Sequence, residues 1–245
     1  MYIFDDKYKL CSSWKTKPNK PEKLRLKLWI YLIIALLILG FAGIFTFKNF
    51  NFSSNFEVGQ QIDELNGVYV YYNGGVGNVF ERNITKDGYN LGLKYQCVEF
   101  VKRYYFEYLN HKMPDSYGNA KDFFDKSLKD GQKNKQRNLI QYTNYSQTTP
   151  KVNDLLIFEG TTFNKYGHVV IISKVTEDKV EIIQQNPGPF GQSRETYDLK
   201  FENDKWKIKN DRVLGWLRKE KLNLQQLVST MVMFGVFFGW QSCIF

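Results

Sequence analysis

Apolar residues are arranged in two different ways along this chain. From Trp29 to Phe47 the run WIYLIIALLILGFAGIFTF carries no charge over nineteen positions, about the length a helix needs to cross a bilayer. Beyond it the apolar positions fall into short stretches bounded by turn residues. VYVYY at Val68–Tyr72 has strand composition and closes on Asn73-Gly74-Gly75. Cys97–Leu109 (CVEFVKRYYFEYL) follows a helical period, with Pro114 marking its exit, and Ala120–Leu128 is a shorter helix candidate. From Asp154 strand-like stretches follow one another: DLLIFE, HVVIISKV, KVEIIQQN, a PGPFG turn, Lys205–Ile208 and VLGWLR. Helix first and antiparallel strands afterwards predicts an α+β domain, not a βαβ alternation. Asp87–Leu93 reads as loop and Lys129–Thr149 as an exposed irregular connection.

These patterns divide the chain into a basic segment (1–28), a transmembrane helix (29–47), a linker (48–64), a globular domain (65–220) and an apolar tail (221–245). Within the tail, Leu227–Phe245 is a candidate second membrane segment or interfacial anchor. Charge orients the first span. Residues 1–28 hold eight Lys/Arg against Asp5, Asp6 and Glu22, so five of the nine net positive charges precede the apolar run. The positive-inside tendency keeps that end in the cytoplasm and exports the domain, giving a single-pass or, with the tail inserted, a two-pass membrane protein. The high net charge then needs no nucleic-acid partner, and a monomer is expected.

Three cysteines occur, Cys11, Cys97 and Cys243. Cys11 falls on the expected cytoplasmic side and Cys243 at the end of the tail, so neither is a natural disulfide partner for Cys97. A thiol needs a base to act as a nucleophile near neutral pH, and the chain has two histidines, His111 and His168. His111 lies fourteen residues beyond Cys97, roughly 20 Å along a helix. It is out of reach and reads as a surface residue. His168 begins a strand, where a side chain can meet the end of a packed helix.

Cys97 shares a helix face with Val101, Tyr104 and Tyr108, while Glu99, Lys102, Arg103 and Glu107 form a polar stripe. At the helix N-terminus, free N–H groups favour a thiolate and can receive an oxyanion. Periodicity alone leaves Cys97 balanced between core residue and nucleophile. Gln96 reads either as an amide donor to a tetrahedral intermediate or as a cap. Gln184 and Asn186 point to one side of their strand, and Gln185 to the other. Which side faces His168 depends on the parity of the hairpin around Thr176–Lys179. No ligand set with metal spacing occurs, and no cofactor is expected.

Four motifs in order, YQCVEFVKRY, NDLLIF, YGHVVIISKV and VEIIQQN, followed by VLGWLR, resemble the CHAP domains, papain-like cysteine amidohydrolases and peptidases. The likeness covers about Leu65–Glu220 and is greatest to the amidase domains of glutathionylspermidine synthetase/amidases. It implies an α+β papain-like fold with a helix packed on an antiparallel sheet. It further implies Cys97 as nucleophile, His168 as base, Gln184 beside His168, and Gln96 and Asn186 as supporting residues. Where the family usually carries Glu, this chain has Gln184, which can orient an imidazole but cannot neutralise an imidazolium. The implied function is amide cleavage through a Cys97 thioester. Export favours peptidoglycan peptides as substrate, and the family likeness favours a peptide–polyamine amide. A non-catalytic wall- or partner-binding module on the same fold is the alternative from another class.

Overall fold

The computed structural model describes residues 20–50 and 56–220. The basic extremity 1–19, part of the 48–64 segment, the apolar tail with its candidate second span, Cys11 and Cys243 lie outside the described residues. The chain divides after Thr46 into two compact units. The first is dominated by helix α1 (Lys20–Asn49). Within its Pro21–Phe47 stretch an eighteen-residue window has a mean hydropathy of 2.6, so this helix is long and apolar enough to span a membrane.

The second unit is α+β. Its centre is an eight-stranded sheet whose neighbouring strands all run antiparallel. Two two-stranded ribbons stand apart from it. One pairs β1 (Gln61–Leu65) with β2 (Val68–Tyr71), and the other pairs β3 (Arg82–Ile84) with β4 (Asn90–Leu93). Helix α2 (Cys97–Glu107) follows. The sheet comprises β5 (Gln132–Asn134), β6 (Leu139–Thr143), β7 (Leu155–Phe158), β8 (His168–Val175), β9 (Lys179–Ile183), β10 (Arg194–Glu202), β11 (Lys205–Ile208) and β12 (Val213–Arg218). Their spatial order is β11-β10-β9-β8-β7-β12-β6-β5.

The central strands β7, β8 and β9 are covered on both faces, which explains why their sequences are almost continuously apolar. On one face Leu155, Ile157, Val169, Ile171 and Ile183 pack against Phe100, Val101, Tyr104 and Tyr105 of α2. On the other, Leu156, Phe158, Val170, Ile172 and Ile182 pack with Trp216. The period of two along each strand sends alternate residues to the two cores.

Several expectations are corrected. Glu99, Lys102 and Arg103 do not form a solvated stripe; all three are buried, whereas Tyr108 is largely exposed. Burial is tolerated because each charge has partners. Glu99 and Arg103 pair at 2.7 Å, and Lys102 Nζ donates to the carbonyls of Ser116 and Asn90. The 129–149 connection contains β5 and β6, and β1 starts inside the stretch read as linker. Asp87–Leu93 contributes β4, and the second helix candidate shrinks to a 3-10 turn at Ala120–Phe123. His111 is buried, with Nε2 2.9 Å from the carbonyl of Arg137.

Candidate active site

Two turns deliver the reactive side chains. Tyr95 takes φ 64°, a left-handed value uncommon for a bulky residue, and so turns the chain from β4 into α2. Gln96 is the extended N-cap, and Cys97 is the first helical residue. On the other side, Gly167 takes φ 73° immediately before His168. A Cβ there would lie 2.6 Å from the Phe158 carbonyl and 2.8 Å from Lys121 Cβ. Gly167→Ala is therefore expected to destabilise the fold by about 1–3 kcal/mol, read as a lower urea midpoint, and to lower turnover by displacing His168.

His168 opens β8, the strand against which α2 packs. The Cys97 thiol lies against the backbone amides of Val169 and Val98. Cys97 and the start of the histidine strand are thus brought together by the helix–sheet packing. His168 Nε2 is 2.9 Å from Gln184 Oε1. Gln184 is itself buried, and its Nε2 donates to the Gln192 carbonyl at 2.9 Å. That bond fixes which end of the amide meets the ring. An amide oxygen accepts only, so Nε2 carries the imidazole proton and Nδ1 is left as the basic nitrogen.

The hairpin parity left open by the sequence is decided by an irregularity within the strands. Val175 pairs with Val180 and Lys174 with Glu181, but Ile172 pairs with Ile182 and Ile171 with Ile183. The extra residue is Ser173, whose hydroxyl donates to the Glu181 carbonyl and carboxylate at 3.1 and 2.7 Å. This bulge shifts the register by one and flips every later side chain to the other face. Without it, Gln185 would meet His168. With it, Gln184 does.

Asn186 and Gln96 come together. Asn186, in a left-handed conformation at φ 53°, donates from Nδ2 to Gln96 Oε1 at 2.9 Å and to the Val76 carbonyl at 3.0 Å. Gln96 Nε2 donates to the Asn78 carbonyl at 2.6 Å. One of its two N–H donors is thereby committed to the loop, and its role in the structure is to hold the turn before the nucleophile.

Electrostatically the pair rests neutral. Burial pushes the Cys97 thiol up to about 11, against the lowering effect of the nearby amides. Burial also pushes His168 down to about 4, partly offset by the bond to Gln184. The helix N-terminus favours a thiolate, as its N–H groups and dipole predict, but desolvation opposes them and is the larger effect. A neutral thiol and a neutral imidazole are thus the forms these two environments favour.

The CHAP domain family matches residues 86–186, a span that holds Cys97, His168, Gln184 and Asn186. The chain carries a CHAP domain. Among curated proteins, trypanothione synthetase of Crithidia fasciculata is 34% identical over 106 residues, covering 43% of this chain and 16% of the relative. The bifunctional glutathionylspermidine synthetase/amidase of Escherichia coli K12 is 33% identical over 149 residues, covering 56% of this chain and 23% of the relative. The chain thus spans less than a quarter of the length of these relatives. Two solved structures show weaker likeness. The wild-type endolysin LysIME-EF1 gives a TM-score of 0.32 at 21% identity, covering 58% of this chain and 60% of that one. Ly7917 gives 0.22 at 25% identity over 30% of each chain. Tyr95 and the Ser173 bulge, both of which shape this site, were not singled out from the sequence, and Gln185 was weighed only as the alternative neighbour of His168. The left-handed Tyr95 carries no sequence signal, since a tyrosine there looks like any other aromatic.

Proposed function

We propose that the chain is a membrane-anchored, papain-like cysteine amidohydrolase. The observation that carries this reading is the His168–Gln184 hydrogen bond at 2.9 Å, on the strand whose Val169 amide meets the Cys97 thiol. Cys97 attacks the amide carbonyl and forms a thioester, while His168 takes the thiol proton and returns it to the leaving amine. Water, deprotonated by the same imidazole, then releases the acid and restores the thiol. The N–H groups of Cys97 and Val98 have no intrahelical acceptor in the first turn, and they receive the oxyanion. Helix α1 anchors the domain, with the basic N-terminal segment in the cytoplasm and the CHAP domain exported. Export supports a peptide amide of peptidoglycan as the substrate. The amidase among the curated relatives supports a peptide–polyamine amide as the second reading.

The full chain in detergent, incubated with muropeptides and separately with glutathionylspermidine, separates the two when products are read by mass spectrometry. A muropeptide cut at an amide is the expected result. Cleavage of glutathionylspermidine alone would move the assignment to the polyamine conjugate, and product from neither would sink both.

A further inference from the structure

Gln184 and Gln185 are adjacent at the end of β9, and the strand period sends them in opposite directions. Gln184 meets the base. Gln185 is fully buried, and its amide joins three elements on the nucleophile's side. Its Nε2 donates to the Gln96 carbonyl at 3.0 Å and to Glu99 Oε2 at 3.0 Å. Its Oε1 accepts from the Tyr71 amide at 2.8 Å. The Gln96 carbonyl also accepts the first bond of α2, from Phe100 N–H at 3.2 Å, so Gln185 grips the peptide unit that joins Gln96 to Cys97. Glu99 is in turn held by Arg103 and by Asn83 Nδ2. Both N–H donors of the Gln185 amide are used and its oxygen accepts a bond, so a flipped amide would face donors with donors and acceptors with acceptors.

We infer that Gln185 is a positioning residue for Cys97, and that the dipeptide Gln184–Gln185 fixes base and nucleophile relative to one another through a single backbone. This deepens the hydrolase reading and rests on it for the role of Cys97. Glycine or a short side chain would leave Glu99 and the Gln96 carbonyl short of a donor in the core. Methionine keeps the volume and removes all three bonds. Glutamate keeps the shape and the acceptor for Tyr71 N–H, but when ionised it loses both donors and faces Glu99 with like charge.

The test uses the full chain with two variants, Gln185→Met and Gln185→Glu, each checked for a cooperative thermal transition; Gln185→Glu decides if the methionine chain does not fold. Three quantities are read well below that transition: kcat and KM on the substrate identified above, and the rate at which iodoacetamide alkylates Cys97. Freeing the first turn of α2 is expected to speed alkylation by about fivefold or more while kcat falls about tenfold or more at unchanged KM, the scale of two lost buried hydrogen bonds. In Gln185→Glu, lowering the pH toward 5 protonates the added carboxyl, restores a donor to the Gln96 carbonyl, and brings the alkylation rate back toward the wild-type value. A folded Gln185→Glu chain whose alkylation rate stays within twofold of wild type at every pH overturns the inference, whatever its turnover. If the wild-type chain hydrolyses neither substrate, the hydrolase reading fails, and the alkylation arm still decides whether Gln185 sets the state of Cys97.

Discussion

A chain carrying His168→Ala is expected to lose turnover by about 10²–10⁴-fold, the range that a positioned general base contributes. The loss is large because the chain has one other imidazole, and it is committed elsewhere. His111 is held against the Arg137 carbonyl beyond the far end of α2, and Gln184 has no basic atom. The thiol itself, pushed up to about 11 by burial, supplies almost no thiolate at neutral pH, so the base is needed at the moment of attack. Substrate binding does not depend on the imidazole, so KM should change little while kcat falls. Steady-state kinetics of the two chains, with matched far-ultraviolet circular dichroism, measures this. A His168→Ala chain within tenfold of wild type would mean that the thiol is activated by another route.

The second large effect is expected from Gln184→Glu. In the wild-type chain His168 is pushed down to about 4, with burial as the main cause. Protonation silences a base, so activity should hold from neutrality down to about pH 5 and fall away near 4. A carboxylate at 184 favours the charged imidazolium, and an opposite charge at this range raises a neighbouring pKa by about 1–3 units. The acid limb of the kcat/KM profile should therefore move up, to between about 5 and 7. Above that limb the charge-assisted bond replaces a neutral one, a difference of about 1 kcal/mol, so kcat should rise by roughly fivefold. Gln184→Leu removes the acceptor altogether and is expected to lower kcat without moving the limb upward. A Gln184→Glu profile that superimposes on wild type would show that residue 184 does not face the base in solution.

The strands with strong apolar character were legible because the central sheet is covered on both sides. β7, β8 and β9 read as near-continuous runs; β7 and β8 end within a residue of the stretches the sequence marks, and β9 ends three residues short. β10 was missed because most of its residues are exposed or only partly buried, so neither alternation nor an apolar run announces it. β5 and β6 were hidden by Lys, Asn and Gln. Their key side chains are polar yet buried: Asn134 and Gln141 bond to one another at 3.1 Å and to backbone around Phe123 and Asp125. The polar face assigned to α2 failed for the same reason, since Glu99, Lys102 and Arg103 reach partners that composition cannot place. In the site, Cys97, His168 and Gln184 were named from motif order, and the structure joins His168 to Gln184. Their geometry was not, because the parity rests on one bulge residue, Ser173, whose hydroxyl satisfies the register shift locally.

The central claim is that an acyl group passes through the sulfur of Cys97. Intact mass spectrometry of the full chain, acid-quenched during turnover of its substrate and then digested, tests it most directly. The predicted result is an acyl adduct on the peptide containing Cys97, removed by hydroxylamine and absent from a Cys97→Ala chain that forms no product. Product formed by Cys97→Ala at the wild-type rate, or turnover with no adduct on that peptide while another residue carries one, would contradict the account.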